Sequence, residues 1–322
     1  AFALLNTFFI TGFHHPGNQS PFVFISAILI TFLFFVLIIA KNTDTEKLIV
    51  VMQLAFAVRL ILSYIFDSSS IQGTDTVERF GSEFNSNAIA FGALFYLVLM
   101  AIKKVQFSRT HFVEYLLAFI SIGTILLTAS KKNFLILIFL IAGYIVIKRS
   151  KGVIKNVILG SFFLGILSIG VMWAINNTDI GLRIIDTYNK SVNADSTDKM
   201  LDHRMTYYTN GWEFFKDNPI NGIGLINFPH RNNSTHVLHT EYMVQLTENG
   251  IIGTILFILF YGYILNALIK IRKSNKEQKK QAEIYLLALS VMFILFFGSW
   301  IYNNPLMWVL IGLAVRFIRE NK

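Results

Sequence analysis

Hydrophobic residues in this chain of 322 residues form long blocks with few internal charges, instead of following helical or alternating spacing. Such blocks are typical of transmembrane helices, because about 20 apolar residues cross the ~30 Å hydrocarbon core of a bilayer. Spans are predicted at residues 22–40, 48–66, 87–102, 112–128, 133–147, 153–175, 251–269, 284–300 and 305–318. A further apolar stretch opens the chain without an initiator Met, so we expect upstream spans to be missing.

The connections between the blocks differ in charge. If the blocks cross the membrane in alternation, most of the 28 Lys and Arg residues lie on one side, and most of the 19 Asp and Glu residues lie on the other. Cytoplasmic loops of membrane proteins are rich in Lys and Arg, so the basic side is predicted to be cytoplasmic. The net charge of +9 therefore reflects topology and contact with anionic lipid, and we expect no nucleic-acid partner.

The predicted fold is all-α, a polytopic transmembrane helical bundle with one large extracytoplasmic loop. Residues 1–175 are predicted to form an N-terminal transmembrane bundle, residues 176–238 the loop with short helices, and residues 239–322 the C-terminal transmembrane helices. The chain has no Cys, which excludes disulfides, thiol nucleophiles and cysteine zinc sites. The loop must then hold itself together by packing.

The predicted loop contains an amphipathic segment. Met205, Tyr208, Trp212 and Phe215 fall on one face of a short predicted helix. This face would lie on the membrane surface or pack against the bundle.

A tight turn, "NPINGIG", follows this helix. Pro219 fixes φ, and Gly222 and Gly224 permit left-handed or closely approached backbone. The chain then runs into the next span, with His236 and His239 three residues apart and a helix break predicted at "ENG". Polar groups so close to a bilayer are costly, which favours a function for this segment.

These residues resemble the O-antigen polymerase and O-antigen ligase membrane proteins. The family pattern has an Arg at the start of a loop helix, an aromatic residue, "NPxxGxGxxxF", and a His that precedes a Glu and two Gly residues. The matching positions are Arg204, Trp212, Asn218, Pro219, Gly222, Gly224, His239, Glu248, Gly250 and Gly253. Lys131 stands where the family often has Arg, and Thr240 stands where it commonly has Asn.

The resemblance implies a GT-C-like, multi-pass glycosyltransferase of the bacterial inner membrane, with its active site on the extracytoplasmic side, where the loop closes over a lateral cavity open to lipid. A glycan would leave undecaprenyl pyrophosphate and join a sugar hydroxyl of a lipid-linked acceptor, without a metal or other cofactor. We prefer polymerisation of O-antigen or capsule repeat units, because of Lys131 and Thr240, to ligation onto another lipid or wall acceptor. Membrane lipid and a chain-length regulator are the other partners implied.

Arg204 and His239 are the predicted catalytic residues. A guanidinium suits the developing charge of a pyrophosphate, and a neutral imidazole can accept the proton of the acceptor hydroxyl. The alternatives are a surface ion pair between Arg204 and Asp202 and a helix-capping role for His239. The predicted substrate-binding residues are Lys131, Lys132, Arg59, Arg231, His236, Asn218, Gly222 and Gly224.

Four further charged positions lie in or near apolar blocks. Arg59 is expected to face the protein interior or a wet cavity, since a lone charge costs at least ~2.5 kcal/mol at mid-bilayer. There it would bind pyrophosphate or pair with an acid such as Glu241. Lys131 and Lys132 lie in a short connection predicted to be outside, where they would attract pyrophosphate or lipid headgroups. Glu248 is predicted to be a buried carboxylate.

Two other classes of function remain open. A transporter of lipid-linked oligosaccharide or of a small anion would suit embedded charges and broken helices, but it predicts internal repeats that we do not find. A non-catalytic assembly subunit would tolerate the loss of Arg204 and His239. The loop histidines lack the spacing and the Cys partners of zinc sites, so no bound metal is predicted.

Overall fold

We describe a computed structural model of the chain in residues 44–66, 86–108, 111–128, 130–148, 194–225, 227–233, 238, 240–297 and 305–321. All regular elements of this part of the chain are helices, which confirms the all-α prediction. The predicted spans at 22–40 and 153–175 lie outside the described residues.

The helix bounds follow the predicted apolar blocks. The helices are α1 (Thr45–Phe66), α2 (Ser86–Phe107), α3 (Phe112–Leu127), α4 (Lys131–Lys148), α5 (Ala194–Asp217), α6 (Phe228–Arg231), α7 (Glu241–Ser274), α8 (Lys279–Phe296) and α9 (Pro305–Glu320). Every predicted block that falls in the described residues overlaps one of these helices, because a continuous apolar run can satisfy its backbone in lipid only as a helix.

The chain divides into two compact units. Unit 1 comprises Ala1–Lys41, Ala194–Lys270 and Met292–Lys322, and unit 2 comprises Asn42–Asn193 and Ile271–Val291. In unit 2, α2 packs against α1, α3 and α4. The Leu287 side chain of α8 lies against Gly143 of α4, where a larger residue would not fit.

Unit 2 contains a buried ion pair between α2 and α3. The Lys103 ammonium contacts the Glu114 carboxylate, and both side chains are buried. The Tyr96 hydroxyl donates a hydrogen bond to the Glu114 main-chain carbonyl at 3.2 Å. The apolar block 87–102 predicted that Lys103 lies in the connection after the span. The helix instead continues to Phe107, so Lys103 lies on α2.

Arg59 lies on α1 and is exposed. The buried stripe of this helix includes Ile49, Gln53, Phe56, Ala57 and Leu60, at helical spacing, and Arg59 falls outside it. Arg59 is therefore not buried in the protein interior, which was one of its two predicted surroundings, and its proximity to a wet cavity stays a prediction.

Two helical stretches of the described residues, Ile89–Phe107 and Glu241–Ser274, are long and apolar enough to cross a membrane. The second is α7, which breaks at Gly250, where φ is 62° and ψ is −166°. Residues 251–269 after the break span about 28 Å at 1.5 Å per residue, close to the hydrocarbon thickness. Its exposed apolar side chains include Ile251, Ile255, Leu256, Ile258, Leu259 and Tyr263. Such a surface suits lipid and not the core of a soluble protein.

Aromatic side chains pack α7 against the last turns of α8 in unit 1. The ring of Tyr261 lies 5.3 Å from that of Phe293 and 5.8 Å from that of Phe296, in edge-on contacts. At the start of α7, the Tyr242 hydroxyl donates to the Phe293 carbonyl at 3.3 Å. These contacts hold α7 against α8 both before and after the break at Gly250.

The helix α5 differs from its prediction in two ways. It has 24 residues and is not short, because no Pro or Gly interrupts the sequence before Gly211. Its packing face carries Tyr207, Gly211 and Phe214, whereas Met205 and Trp212 of the predicted face are exposed. The alternative in which the predicted face packs against the bundle is therefore wrong for these two residues.

Candidate active site

The turn after α5 is hydrogen-bonded to the break in α7, in a contact that we call the clasp, formed by residues 218–224 and 247–252. A break in a helix leaves carbonyls before it and amides after it without intrahelical partners. At 2.8 to 3.3 Å, the amides of Ile223 and Gly224 bond the carbonyls of Thr247 and Glu248, and the amides of Ile251 and Ile252 bond those of Pro219 and Ile220. The turn thus satisfies the backbone that the break exposes.

Three glycines make the clasp possible. Gly222, Gly224 and Gly250 have φ values of 68°, 91° and 62°, in the left-handed region. A Cβ on Gly222 would lie 2.5 Å from the Glu248 carbonyl carbon and 2.6 Å from the Gly250 amide nitrogen, and a Cβ on Gly250 would collide with the Ile220 carbonyl. The predicted close backbone approach and the predicted break at "ENG" are confirmed.

The helix α5 meets α7 at Gly211. The Thr247 hydroxyl donates to the Gly211 carbonyl at 3.1 Å. A Cβ on Gly211 would lie 3.1 Å from the Thr247 hydroxyl oxygen and 3.2 Å from a Leu238 methyl group, so the helices approach closely because this residue is small. Arg204 lies seven residues earlier on α5, about 10.5 Å along the helix axis.

The positions on both sides of His239 are anchored, although His239 itself lies outside the described residues. On one side, Leu238 is buried in a hydrophobic cluster with Ile223, Phe228 and Val244, against which Tyr207, Tyr208, Phe214 and Met243 pack. On the other side, the Thr240 hydroxyl donates to the Phe296 carbonyl at 3.1 Å. Leu238 and Thr240 are therefore tied to α5, α7 and α8.

Buried polar side chains line the first half of α7. Gln245 donates to the Glu241 carboxylate at 2.7 Å, and Asn249 donates to the Gln245 amide oxygen at 2.8 Å. All three are buried, as is Glu248, whose predicted burial is confirmed. A buried carboxylate needs such partners, and the row of hydrogen bonds stiffens the segment between Thr240 and the break.

Of the predicted site residues in unit 1, the structure describes some side chains and not others. Asn218 directly follows α5, and its main-chain carbonyl accepts the Gly222 amide at 2.9 Å, so it has a structural role at the clasp. Arg231 is exposed at the end of α6. The side chain of Arg204 and the whole of His236 lie outside the described residues, so their roles stay predictions.

The predicted residues of unit 2 lie on α1 and α4. Lys131 and Lys132 open α4, directly after the buried residues Thr128 and Ser130. Asn133 donates to the Ser130 hydroxyl at 2.9 Å and so fixes the start of this helix. The side chain of Lys131 lies outside the described residues, and the substrate-binding roles of Lys131, Lys132 and Arg59 stay predictions.

Sequence reasoning missed Gly211, Thr247 and the hydrogen-bonded row on α7. Glu241, Gln245 and Asn249 are four residues apart, and this spacing was the signal available for the row. For Gly211 no local signal exists, because its contact partners lie far along the chain.

No group of His, Asp and Glu side chains that could hold a metal occurs among the residues that the structure describes. The buried Glu241 carboxylate of α7 instead accepts a hydrogen bond from Gln245. The polar content of this segment therefore has a structural explanation.

Comparison with known proteins supports the resemblance seen in the loop. A family model described as O-antigen ligase matches residues 116–258, a range that includes α4, α5, the clasp and the first half of α7. No curated protein matches the chain. Over residues 116–258, somewhat less than half of its length, the chain is therefore similar to the O-antigen ligase family, and the predicted resemblance to O-antigen ligases and polymerases is confirmed.

Proposed function

We propose that this chain is a multi-pass membrane glycosyltransferase that moves a glycan from undecaprenyl pyrophosphate to a sugar hydroxyl on the extracytoplasmic side of the bacterial inner membrane. The observation that carries the proposal is the family match over residues 116–258, which contains Arg204 and His239. The proposed donor is lipid-linked, in keeping with helices that are long and apolar enough to span a membrane.

In the proposed reaction, the acceptor hydroxyl attacks the anomeric carbon of the donor sugar. The bond from that carbon to the pyrophosphate oxygen breaks, and undecaprenyl pyrophosphate leaves. His239 accepts the proton of the attacking hydroxyl, and Arg204 pairs with the negative charge that grows on the leaving pyrophosphate. Lys131, Lys132, Arg59, Arg231 and His236 are proposed as further contacts for the anionic donor or for the acceptor.

The contacts around the clasp support a shared role for Arg204 and His239. Arg204 lies on α5, which is fixed to α7 through Gly211 and Thr247. His239 lies between Leu238 and Thr240, which are fixed to the same packed elements. These contacts support the proposal, since small displacements of catalytic groups reduce rates strongly and the elements that carry such groups must be held in place.

We propose that the product is a polymer of O-antigen or capsule repeat units. Lys131 and Thr240 depart from the positions typical of the family, and these departures are the basis of the preference. Ligation to another lipid or wall acceptor is the second candidate function, favoured by the description of the matching family as O-antigen ligase.

The test is glycan laddering in a bacterial host that supplies the lipid-linked repeat unit. Wild type, Arg204→Ala and His239→Ala are compared at matched membrane expression, with His111→Ala as the control histidine, since His111 is exposed beside α3. A polymerase gives long ladders in the wild type and in the control, and none in the other two variants.

The other outcomes separate the alternatives. A single transferred product without a ladder in the wild type indicates ligation. Full laddering in both Arg204→Ala and His239→Ala contradicts the proposed chemistry and favours a transporter or an assembly subunit.

A further inference from the structure

The surface of α5 is divided into three stripes along the helix. Tyr207, Gly211 and Phe214 form the stripe that packs within unit 1. Exposed polar residues form a second stripe, where Lys216 pairs with Glu213 at 2.7 Å. Between these two stripes lies an apolar one, and a helix that contacted only protein and water would not need it.

The apolar stripe of α5 contains Met205, Trp212 and Phe215, and Tyr208 at its edge packs against the buried cluster of Leu238. Met205 is 58% exposed and Trp212 is 46% exposed. The ring centroids of Trp212 and Phe215 lie 5.2 Å apart, so the two side chains pack against each other. Phe215 itself is partly buried. Exposed large apolar side chains on one helix face indicate an interaction surface.

This stripe ends near the apolar surface of α7. Ile220, at the turn after α5, is 61% exposed, and its carbonyl accepts the Ile252 amide at 3.3 Å. Ile251 and Ile252 are exposed too, and they begin the apolar part of α7 that is long enough to cross a bilayer. The clasp therefore brings the turn after α5 to the end of a hydrocarbon-spanning segment, which is the level of the headgroups if that segment crosses the bilayer.

We propose that α5 lies in the membrane interface, with Met205, Trp212 and Ile220 inserted among the lipids at the headgroup boundary. Continuity with the exposed apolar surface of α7 selects lipid as the occupant. Trp has an apolar body and a polar N–H, and it is enriched at this depth for that reason. Glu213 and Lys216 face water on the other exposed stripe. This placement is independent of the transfer chemistry proposed above.

The chain has no Cys, so a single introduced cysteine gives one labelling site. Met205→Cys, Trp212→Cys and Glu213→Cys are each spin-labelled in liposomes of phosphatidylethanolamine and phosphatidylglycerol, with Ile258→Cys on α7 as the hydrocarbon reference. Power-saturation spectra then compare collisions of the label with oxygen, which concentrates in lipid, and with a water-soluble nickel chelate.

The proposal predicts oxygen accessibility several-fold above nickel accessibility at positions 205 and 212, less extreme than at 258, and the reverse at 213. Nickel accessibility at 205 and 212 equal to that at 213 would overturn it, because the stripe would then face water. Low accessibility of 205 and 212 to both reagents would also overturn it, because protein would then cover the stripe.

A second measurement avoids introduced cysteines. In a chain with Trp173, Trp300 and Trp308 changed to Phe, Trp212 is the remaining tryptophan. Its fluorescence in liposomes is quenched by lipids brominated near the headgroup if the proposal holds. Quenching by aqueous iodide alone contradicts it.

Discussion

At Gly222 the backbone has a φ of 68° and lies against the carbonyl of Glu248 and the amide of Gly250. Both the left-handed conformation and the close approach could be predicted from "NPINGIG", because Pro and Gly have specific backbone preferences. The identity of the partner could not be predicted, because it depends on a break in α7 far along the chain. His239 shows the same limit, since its sequence spacing does not reveal the contacts of Leu238 and Thr240.

Gly222→Ala should destabilise the protein and open the clasp. The left-handed conformation alone costs roughly 1–2 kcal/mol for a residue with a Cβ, and the contact with the Glu248 backbone adds to it. Thermal unfolding of the purified protein in detergent measures the loss. The matched control is Gly262→Ala on α7, where a Cβ would meet nothing within 4 Å. An unchanged melting temperature for Gly222→Ala would contradict the role given to the clasp.

At the scale of elements, the apolar blocks predicted the described helices well, because lipid leaves the backbone few alternatives to a helix. The lengths of helices that contain polar residues were predicted less well. α5 extends to Ala194 through polar residues, and α2 continues past its apolar block to include Lys103. Burial of Lys103 depends on Glu114 of the neighbouring helix, a tertiary contact that hydropathy does not report.

Lys103→Met should destabilise unit 2 strongly. It leaves the Glu114 carboxylate buried without its cation, and breaking a buried pair in this way typically costs about 3–5 kcal/mol. The double variant Lys103→Met with Glu114→Gln removes both charges and should recover much of the stability. Unfolding in detergent, followed by circular dichroism, compares the three proteins. A double variant as unstable as Lys103→Met would show that the uncompensated charge is not the cause.

At the scale of the whole molecule, the sequence predicted a helical membrane protein of the O-antigen ligase and polymerase type, and the family match over residues 116–258 supports that relationship. The site could be predicted only as a set of residues along one segment. The contacts of Gly211 with Thr247 and Leu238 add what the sequence lacked, a physical connection from α5 to α7 and to the residue before His239. For Arg59 the sequence prediction was incomplete. Hydropathy indicated that the residue lies in an apolar helix, but it did not show that the side chain lies outside the buried stripe of α1.

The central claim is that Arg204 and His239 carry glycan transfer from a lipid-linked donor. The measurement that tests it most directly is the rate of transfer by purified protein in liposomes, with the lipid-linked repeat unit as both donor and acceptor. Arg204→Ala and His239→Ala should each lower the rate by roughly 10²-fold or more. His111→Ala and Arg319→Ala, which remove an exposed imidazole and an exposed guanidinium elsewhere, should leave the rate unchanged. Transfer at the wild-type rate by both Arg204→Ala and His239→Ala would contradict the account.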